Sequence, residues 1–464
     1  MRLKLFAVLT AVGVSAMAAP AGAQGIQTTA SSTPTFSKDV APIFFKNCTA
    51  CHRPGEIAPM SLLTYRDARP WVRSIGTQVA KGAMPPWHAD PAHGTFVNDR
   101  RLSASEKDTI LRWVNGGAPE GNATDLPPQP IYPSGWTIGT PDAVVAMNED
   151  YPVPATGTVE YKYFQVPTNF TEDKWIQAFE VKPGTPSVVH HVIVFARPTQ
   201  RPQAAPAPAP AAQAARPGRR PAAPFTFAAG MDEPHNEKVE VAKRAPNNDR
   251  PAPEGGTGAF IGGFAPGSAI RVFEPGTAVR LPAGSTIVFQ MHYTSTGKAA
   301  TDRSQIGFRF ANEAPKQEVI VAALVNGNFT LPANTPNTRV DAEMTIETDL
   351  TLWSLMPHTH VRGRAWEIRA NYPDGRSEMV LAVPNYDFNW QTEYVFKEPL
   401  KLPAGTKLRT SAWYDNSPNN KSNPDPKVDV HWGEQTWEEM QFTAFAFTIN
   451  PRGGAPTGQQ QQQP

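Results

Sequence analysis

Only two cysteines occur in 464 residues, Cys48 and Cys51. Both fall in one C-x-x-C-H motif, so no disulfide is left to staple the rest of the chain, and stability must come from burial. The same scarcity excludes a blue-copper centre in the remaining sequence, because that site needs a cysteine thiolate. Excess charge is missing too: the formal net charge is +1, which gives no long-range attraction to nucleic acid or an anionic membrane. Beyond the first two dozen residues no run is long and apolar enough to span a bilayer, and no repeat at solenoid spacing is evident.

At the start, Arg2 and Lys4 precede an apolar stretch from Leu5 to about Ala19, and Ala21-Gly22-Ala23 has the small-x-small form of a cleavage site. Residues 1–23 therefore read as a secretory signal peptide, and the mature chain is expected to be soluble, and periplasmic or secreted. The roughly 440 residues left suffice for about three domains.

Residues 35–122 read as a small all-α unit. "TFSKDVAPIFFKNC" has helical apolar spacing, and "SASEKDTILRWVNGGAPEG" is a capped amphipathic helix, with Ser103 or Ser105 as N-cap and Gly116-Gly117 as the stop. A Pro-rich connector, "LPPQPIYPSG", follows. The texture then changes to short runs of Val, Ile, Phe, Tyr and Thr alternating with polar residues, broken by "PAG", "PDG" and "NNKSN". That pattern predicts all-β antiparallel sandwiches over residues 130–450, split near Asn312 into a first unit, 130–312, and a second, 313–450. Two segments are expected to stay out of the fold: a Pro/Ala-rich insertion at about 197–258 and the Gln-rich tail 451–464.

In "NCTACH", Cys48 and Cys51 can form thioethers to haem vinyl groups while His52 ligates the iron. A thioredoxin-like redox pair would need a βαβ setting, and a zinc site a second Cys/His pair nearby; neither is present. Met84, in the proline-fixed loop "KGAMPPWHAD", is the expected sixth ligand; His88 or His93 would give a bis-histidine haem instead. Met60 is expected to pack in the core. From Phe36 to Gly121 this unit resembles a bacterial class I cytochrome c, which implies one covalently attached haem c.

Ten histidines carry the rest of the argument. "SVVHHVIVF" holds His190 and His191, "FQMHYTSTG" holds His292, and "LMPHTHVRG" holds His358 and His360. On a strand, residues i and i+2 face one side, so His358 and His360 can share one metal. His190 and His191 would point to opposite faces of a regular strand, so sharing an ion requires a bend or a strand end. Met440 precedes an apolar strand in "WGEQTWEEMQFTAFAF". Two imidazoles and a thioether would hold Cu(I) with an open position; three imidazoles suit copper or zinc. By itself Met440 reads as core filler, and His292 as a satisfied core histidine.

The order of these motifs, HH, M-H-Y, H-T-H-x-x-G and E-M before an apolar strand, resembles the copper type II, ascorbate-dependent monooxygenases. That family includes the peptidylglycine α-hydroxylating and dopamine β-monooxygenases. The stretches "GGFAPGSAIRVFEPGTAVRLPAGSTIVFQMHY", "YDFNWQ" and "WGEQTWEEM" are similar as well, and the resemblance covers about 135–450. It implies two jelly-roll-like sandwiches facing one another across a solvent-filled cleft, with two copper ions. His190, His191 and His292 would hold the electron-transferring copper, and His358, His360 and Met440 the copper that meets O2 and a small-molecule substrate. An exported electron donor, the haem unit or ascorbate, would supply electrons. This chain departs from the family in having no cysteine in the copper region. "QFTAF" after Met440 also lacks the Asn and Tyr associated with peptide recognition, so a glycine-extended peptide is not supported as substrate. Nor is a catecholamine, for no acidic residue can be assigned to its amine. The competing expectation is a non-catalytic haem/copper electron carrier.

Overall fold

The computed structural model describes residues 33–133, 135–198, 225–229, 240–241, 259–266 and 270–450. The signal peptide, the tail and most of the 197–258 insertion lie outside these residues. The chain divides at Thr33/Pro34, and everything below concerns the part from Pro34 onward. It is mostly antiparallel β-sheet with a few short helices near its start. Among the described residues, no helix is long and apolar enough to cross a membrane.

The helices, Phe36–Val40, Ala41–Asn47, Tyr65–Ala68, Val72–Lys81 and Ala104–Asn115, enclose Phe36, Phe44, Ile75, Ile110 and Trp113. Ser103 is the N-cap of the last one: its hydroxyl accepts from the Glu106 amide while the Glu106 side chain accepts from the Ser103 amide, the reciprocal arrangement of a capping box. The unit is not self-contained. After Met84 the chain leaves the helices, and Trp87, Ala89 and Phe96 join a core built mainly from residues 324–447. Backbone bonds from Asp90 to Ala382, Val97 to Val395 and Lys397 to Thr95 fasten this strap to the C-terminal β region.

A nine-stranded sheet forms the backbone of the β region. Its order begins with Ala143–Ala146, Gln305–Phe310, Lys174–Lys182 and Thr277–Leu281, and continues with Gln317–Val325, Phe442–Ile449, Leu350–His358 and Tyr394–Leu402, while the ninth strand, Ile270–Val272, pairs with Lys174–Lys182 off this path. The expected split near Asn312 therefore falls inside one continuous sheet, joined where Thr277 and Ala278 pair in parallel with Gln317 and Glu318. Each half carries a second sheet over its own apolar layer. Lys162–Pro167, Thr286–Tyr293, Val189–Arg197 and Ala259–Phe264 cover the first. Ser377–Val383, Gly363–Asn371, Lys407–Tyr414 and Thr338–Ile346 cover the second. Alternating burial, as in Leu350, Leu352 and Ser354 buried with Thr351 and Trp353 half-buried between them, is what a strand with one core-facing side requires.

One expectation is corrected. Within the insertion, Phe225–Ala229 pairs antiparallel with Ala342–Ile346, and Glu240–Val241 pairs with Thr338–Arg339. "FTFAA" alternates like a strand, and the Thr338–Ile346 strand otherwise leaves an unpaired edge, which a nearby β-prone segment satisfies.

Candidate metal centre

His191 sits opposite His292 in the antiparallel ladder of Val189–Arg197 with Thr286–Tyr293. The register then slips, and Tyr293 pairs with Val189, leaving His190 as the extra residue of a β-bulge. A bulge re-aims one side chain, and this supplies the bend that lets adjacent histidines share a face. The His190 and His191 Nδ1 atoms are 3.1 Å apart, those of His191 and His292 3.4 Å apart, and the ligand atoms of all three lie within 4.8 Å of one another. Nitrogens bound to one cation at about 2 Å, at angles near tetrahedral, would be separated by about 3.3 Å.

Protonation favours the same reading. Burial first, and then the neighbouring imidazoles, hold His191 and His292 well below the ordinary histidine pKa; burial also lowers His190. The rings are thus neutral at pH 7, the form that ligates metals. Between neutral rings packed nitrogen to nitrogen, an N–H cannot satisfy every contact. With Nδ1 turned inward, His292 Nε2–H donates to Thr436 Oγ1 at 3.3 Å. His190 meets the Asn389 side chain, and His191 Nε2 is buried with no partner among the described residues.

The second pair is built differently. His358 ends the Leu350–His358 strand, and its ring centroid lies 5.2 Å from that of His360. His358 Nδ1–H donates to Gln391 Oε1 at 2.5 Å, and His360 Nδ1–H to the Glu438 carbonyl at 3.1 Å. Both bonds fix the tautomer and leave Nε2 as the bare nitrogen; His360 Nε2 is buried and unpartnered. Burial pushes His358 down to about 4 and His360 down to about 3. Gly363 makes the turn after them possible: a Cβ there would come 1.7 Å from Thr359 Oγ1.

Met440 reaches this neighbourhood through its backbone. His358 pairs with Phe442, two residues beyond Met440, and the Glu439 Oε2 atom accepts from both the His360 amide at 2.8 Å and the Met440 amide at 3.3 Å. Glu439 is fully buried and also accepts from the Arg362 amide at 2.7 Å. Burial raises its carboxyl to about 7 in spite of those bonds.

The two sets are not held apart by a wide, solvent-filled cleft. The His191 and His358 ring centroids are 6.4 Å apart, and all of His191, His292, His358 and His360 are buried. Two aromatic rings wedge between them. Phe388 stacks on His190 at 5.1 Å and meets His292, His360, His191 and His358 at 5.8–6.5 Å. Tyr161 lies 4.8 Å from His292 and 6.3 Å from His360. Sequence reasoning assigned no role to Phe388, Tyr161, Gln391 or Glu439. Three of them fall in "YDFNWQ" and "WGEQTWEEM", whose resemblance was the available signal; Tyr161 gave none.

At the other motif, Cys51 and His52 donate their amides to the Cys48 carbonyl at 3.1 and 2.9 Å, a single turn that puts both thiols and the imidazole on one short segment. His52 Nδ1–H donates to the Met60 carbonyl at 3.2 Å, leaving Nε2 free to ligate; Met60 itself is only half-buried. Burial, then Cys51 and Glu106, push the Cys48 thiol up to about 12, so it is no ready thiolate for disulfide exchange. Met84 is half-buried and its amide donates to the Gln78 carbonyl at 3.3 Å. His88 is drawn toward the β region, with the Asp387 charge opposing the downward pull of burial. His431 bonds Thr330 Oγ1 at 3.2 Å and joins neither set; His235 lies outside the described residues.

No protein-family model matches the sequence, and no curated protein does. Among solved structures, that of infectious bursal disease virus Gx strain is 11% identical, with a TM-score of 0.15 over 68% of this chain and 78% of that one. So slight a likeness carries no argument.

Proposed function

We propose that the chain is an exported, copper-dependent monooxygenase that hydroxylates a C–H bond of a small organic substrate with O2. Its architecture would be a class I cytochrome c unit followed by two jelly-roll-like copper domains. His190, His191 and His292 would hold one copper, and His358, His360 and Met440 the other. Cys48, Cys51, His52 and Met84 would hold haem c, the entry point for electrons, with ascorbate as the alternative donor. When bound, these groups supply one-electron redox steps and the activation of oxygen.

The observation that carries this reading is the meeting of five neutral imidazoles: the Nδ1 atoms of His190, His191 and His292 face one another, and the Nδ1 bonds of His358 and His360 leave their Nε2 atoms bare. The chain's own residues then do the following. The bulge at His190 aims three Nδ1 atoms at one point. Gln391 and the Glu438 carbonyl hold the Nδ1 protons of His358 and His360. Glu439 ties the backbones of His360 and Met440 together, and Phe388 and Tyr161 keep water from between the rings.

Metal analysis combined with oxygen uptake tests the proposal. Two coppers and one haem per chain are expected, with uptake that depends on an added C–H donor. Met440→Ile separates the oxygenase from an electron carrier. The oxygenase should lose turnover while keeping the three-histidine copper, whereas a carrier would keep most of its electron transfer.

A further inference from the structure

Between the two halves of the β region lies a pocket of about 70 Å³ that opens to solvent on one side. Its walls are largely apolar, led by Phe179, Phe260, Phe264, Phe273, Met356 and Phe445. His191 and Gln391, the residue that bonds His358, also line it. Those two are 2% and 6% exposed, so they form its deep end, while Ile270, 42% exposed, marks the rim.

Only Arg271 and Glu393 bring charge to the lining, and they cancel. Arg271 Nη1 lies 2.9 Å from Glu393 Oε1, and Ser354 Oγ donates to the same oxygen at 2.6 Å. The guanidinium also lies over the Phe273 ring, 5.4 Å from its centroid. An ionic ligand would have to leave water for a pocket with no unpaired countercharge, which is unfavourable. An apolar one gains from every wall. Two glycines let the walls approach: a Cβ on Gly262 would come 2.0 Å from the Phe179 ring, and one on Gly263 2.2 Å from the Val192 carbonyl.

We propose that this pocket binds a neutral, predominantly apolar molecule carrying at least one ring, with Arg271 and Glu393 as a self-neutralised pair on its more exposed side, Ser354 bonded beneath them and Ala444 as part of the wall. The ligand's role as a substrate rests on the copper reading; the pocket's selectivity does not.

The test uses the full chain, copper-free and copper-loaded, and fluorine NMR titrations with 4-fluorobenzyl alcohol, 4-fluorobenzoate and 4-fluorobenzylamine, which share a ring and differ in charge. The alcohol should bind in both states, and each ion about tenfold or more weakly. Ala444→Phe should abolish binding of the alcohol without releasing copper. Glu393→Gln should free the Arg271 charge and raise benzoate affinity about tenfold relative to the alcohol. Equal binding of the three probes, or no binding by any, overturns the proposal, as does an unchanged ranking in Glu393→Gln. If copper fails to bind while the alcohol does, the oxygenase reading falls and the pocket stands; the converse result sinks the pocket alone.

Discussion

His190, His191 and His292 stand on two strands that pair with each other, and one bulge in that ladder completes their arrangement. His358 and His360 lie at and just past a strand end and rely on donors and acceptors from distant segments: Gln391, Glu438 and Glu439. The first set is therefore made by local register, the second by tertiary assembly. A site fixed by a ladder should survive damage that a site assembled from loops does not. The second set also has more ways to change shape.

Gly363→Ala should break this asymmetry most. The added methyl would fall on Thr359 Oγ1, between the two histidines, and overpacking of this kind costs about 1–3 kcal/mol. The expected result is a lower urea midpoint and loss of copper from the His358/His360 set, with the three-histidine set still loaded. Equal loss from both sets would mean that the two are one cooperative site.

Gln391→Leu comes next. Without the acceptor, the His358 Nδ1 proton is no longer fixed, and metal affinity at that set should fall about 10–100-fold. Competitive titration with a copper chelator measures it. Unchanged affinity would show that the tautomer is fixed by something other than Gln391.

Acid distinguishes a buried neutral ring from a solvated one. His358 and His360 titrate at about 4 and about 3 in the fold, against 6.5 in an open chain. Between those values the unfolded metal-free chain binds more protons, so stability falls as pH falls below 6.5 and through the folded values. A urea midpoint that declines from pH 7 to pH 4.5, and declines less in His358→Gln/His360→Gln, is expected. A flat profile would mean that the rings are solvated.

The histidines were legible because each set leaves a short signature: an HH pair, an H-x-H pair and a glycine three residues later. The need for a bend at His190 was also legible, since period-two geometry forbids adjacent rings on one face. The continuity of the nine-stranded sheet across Asn312 was not, because parallel pairing of Thr277 with Gln317 leaves no local pattern. Nor was the closeness of the two sets. It depends on Phe388 and Tyr161 filling the space between them, and packing between distant segments is not encoded in periodicity. The strap was hidden for the same reason: Trp87 and Phe96 look like core residues of the helical unit and serve a different core.

That strap gives the smallest predicted effect and the sharpest form of the comparison. Glu106 accepts from the Ser103 amide at 2.8 Å and from Lys46 at 2.9 Å, so Glu106→Ala should cost the helical unit about 1 kcal/mol. The strap is fastened to Tyr394–Leu402 and its flanks, and Leu350–His358 pairs with that strand. Loosening the helices should therefore be felt first at the assembled set. Hydrogen exchange at Val395 and Leu355 should quicken in Glu106→Ala, while exchange at His191 and Met291 stays as in the parent. If the amides flanking the three-histidine set quicken equally, local register protects nothing, and the distinction between the two sets fails.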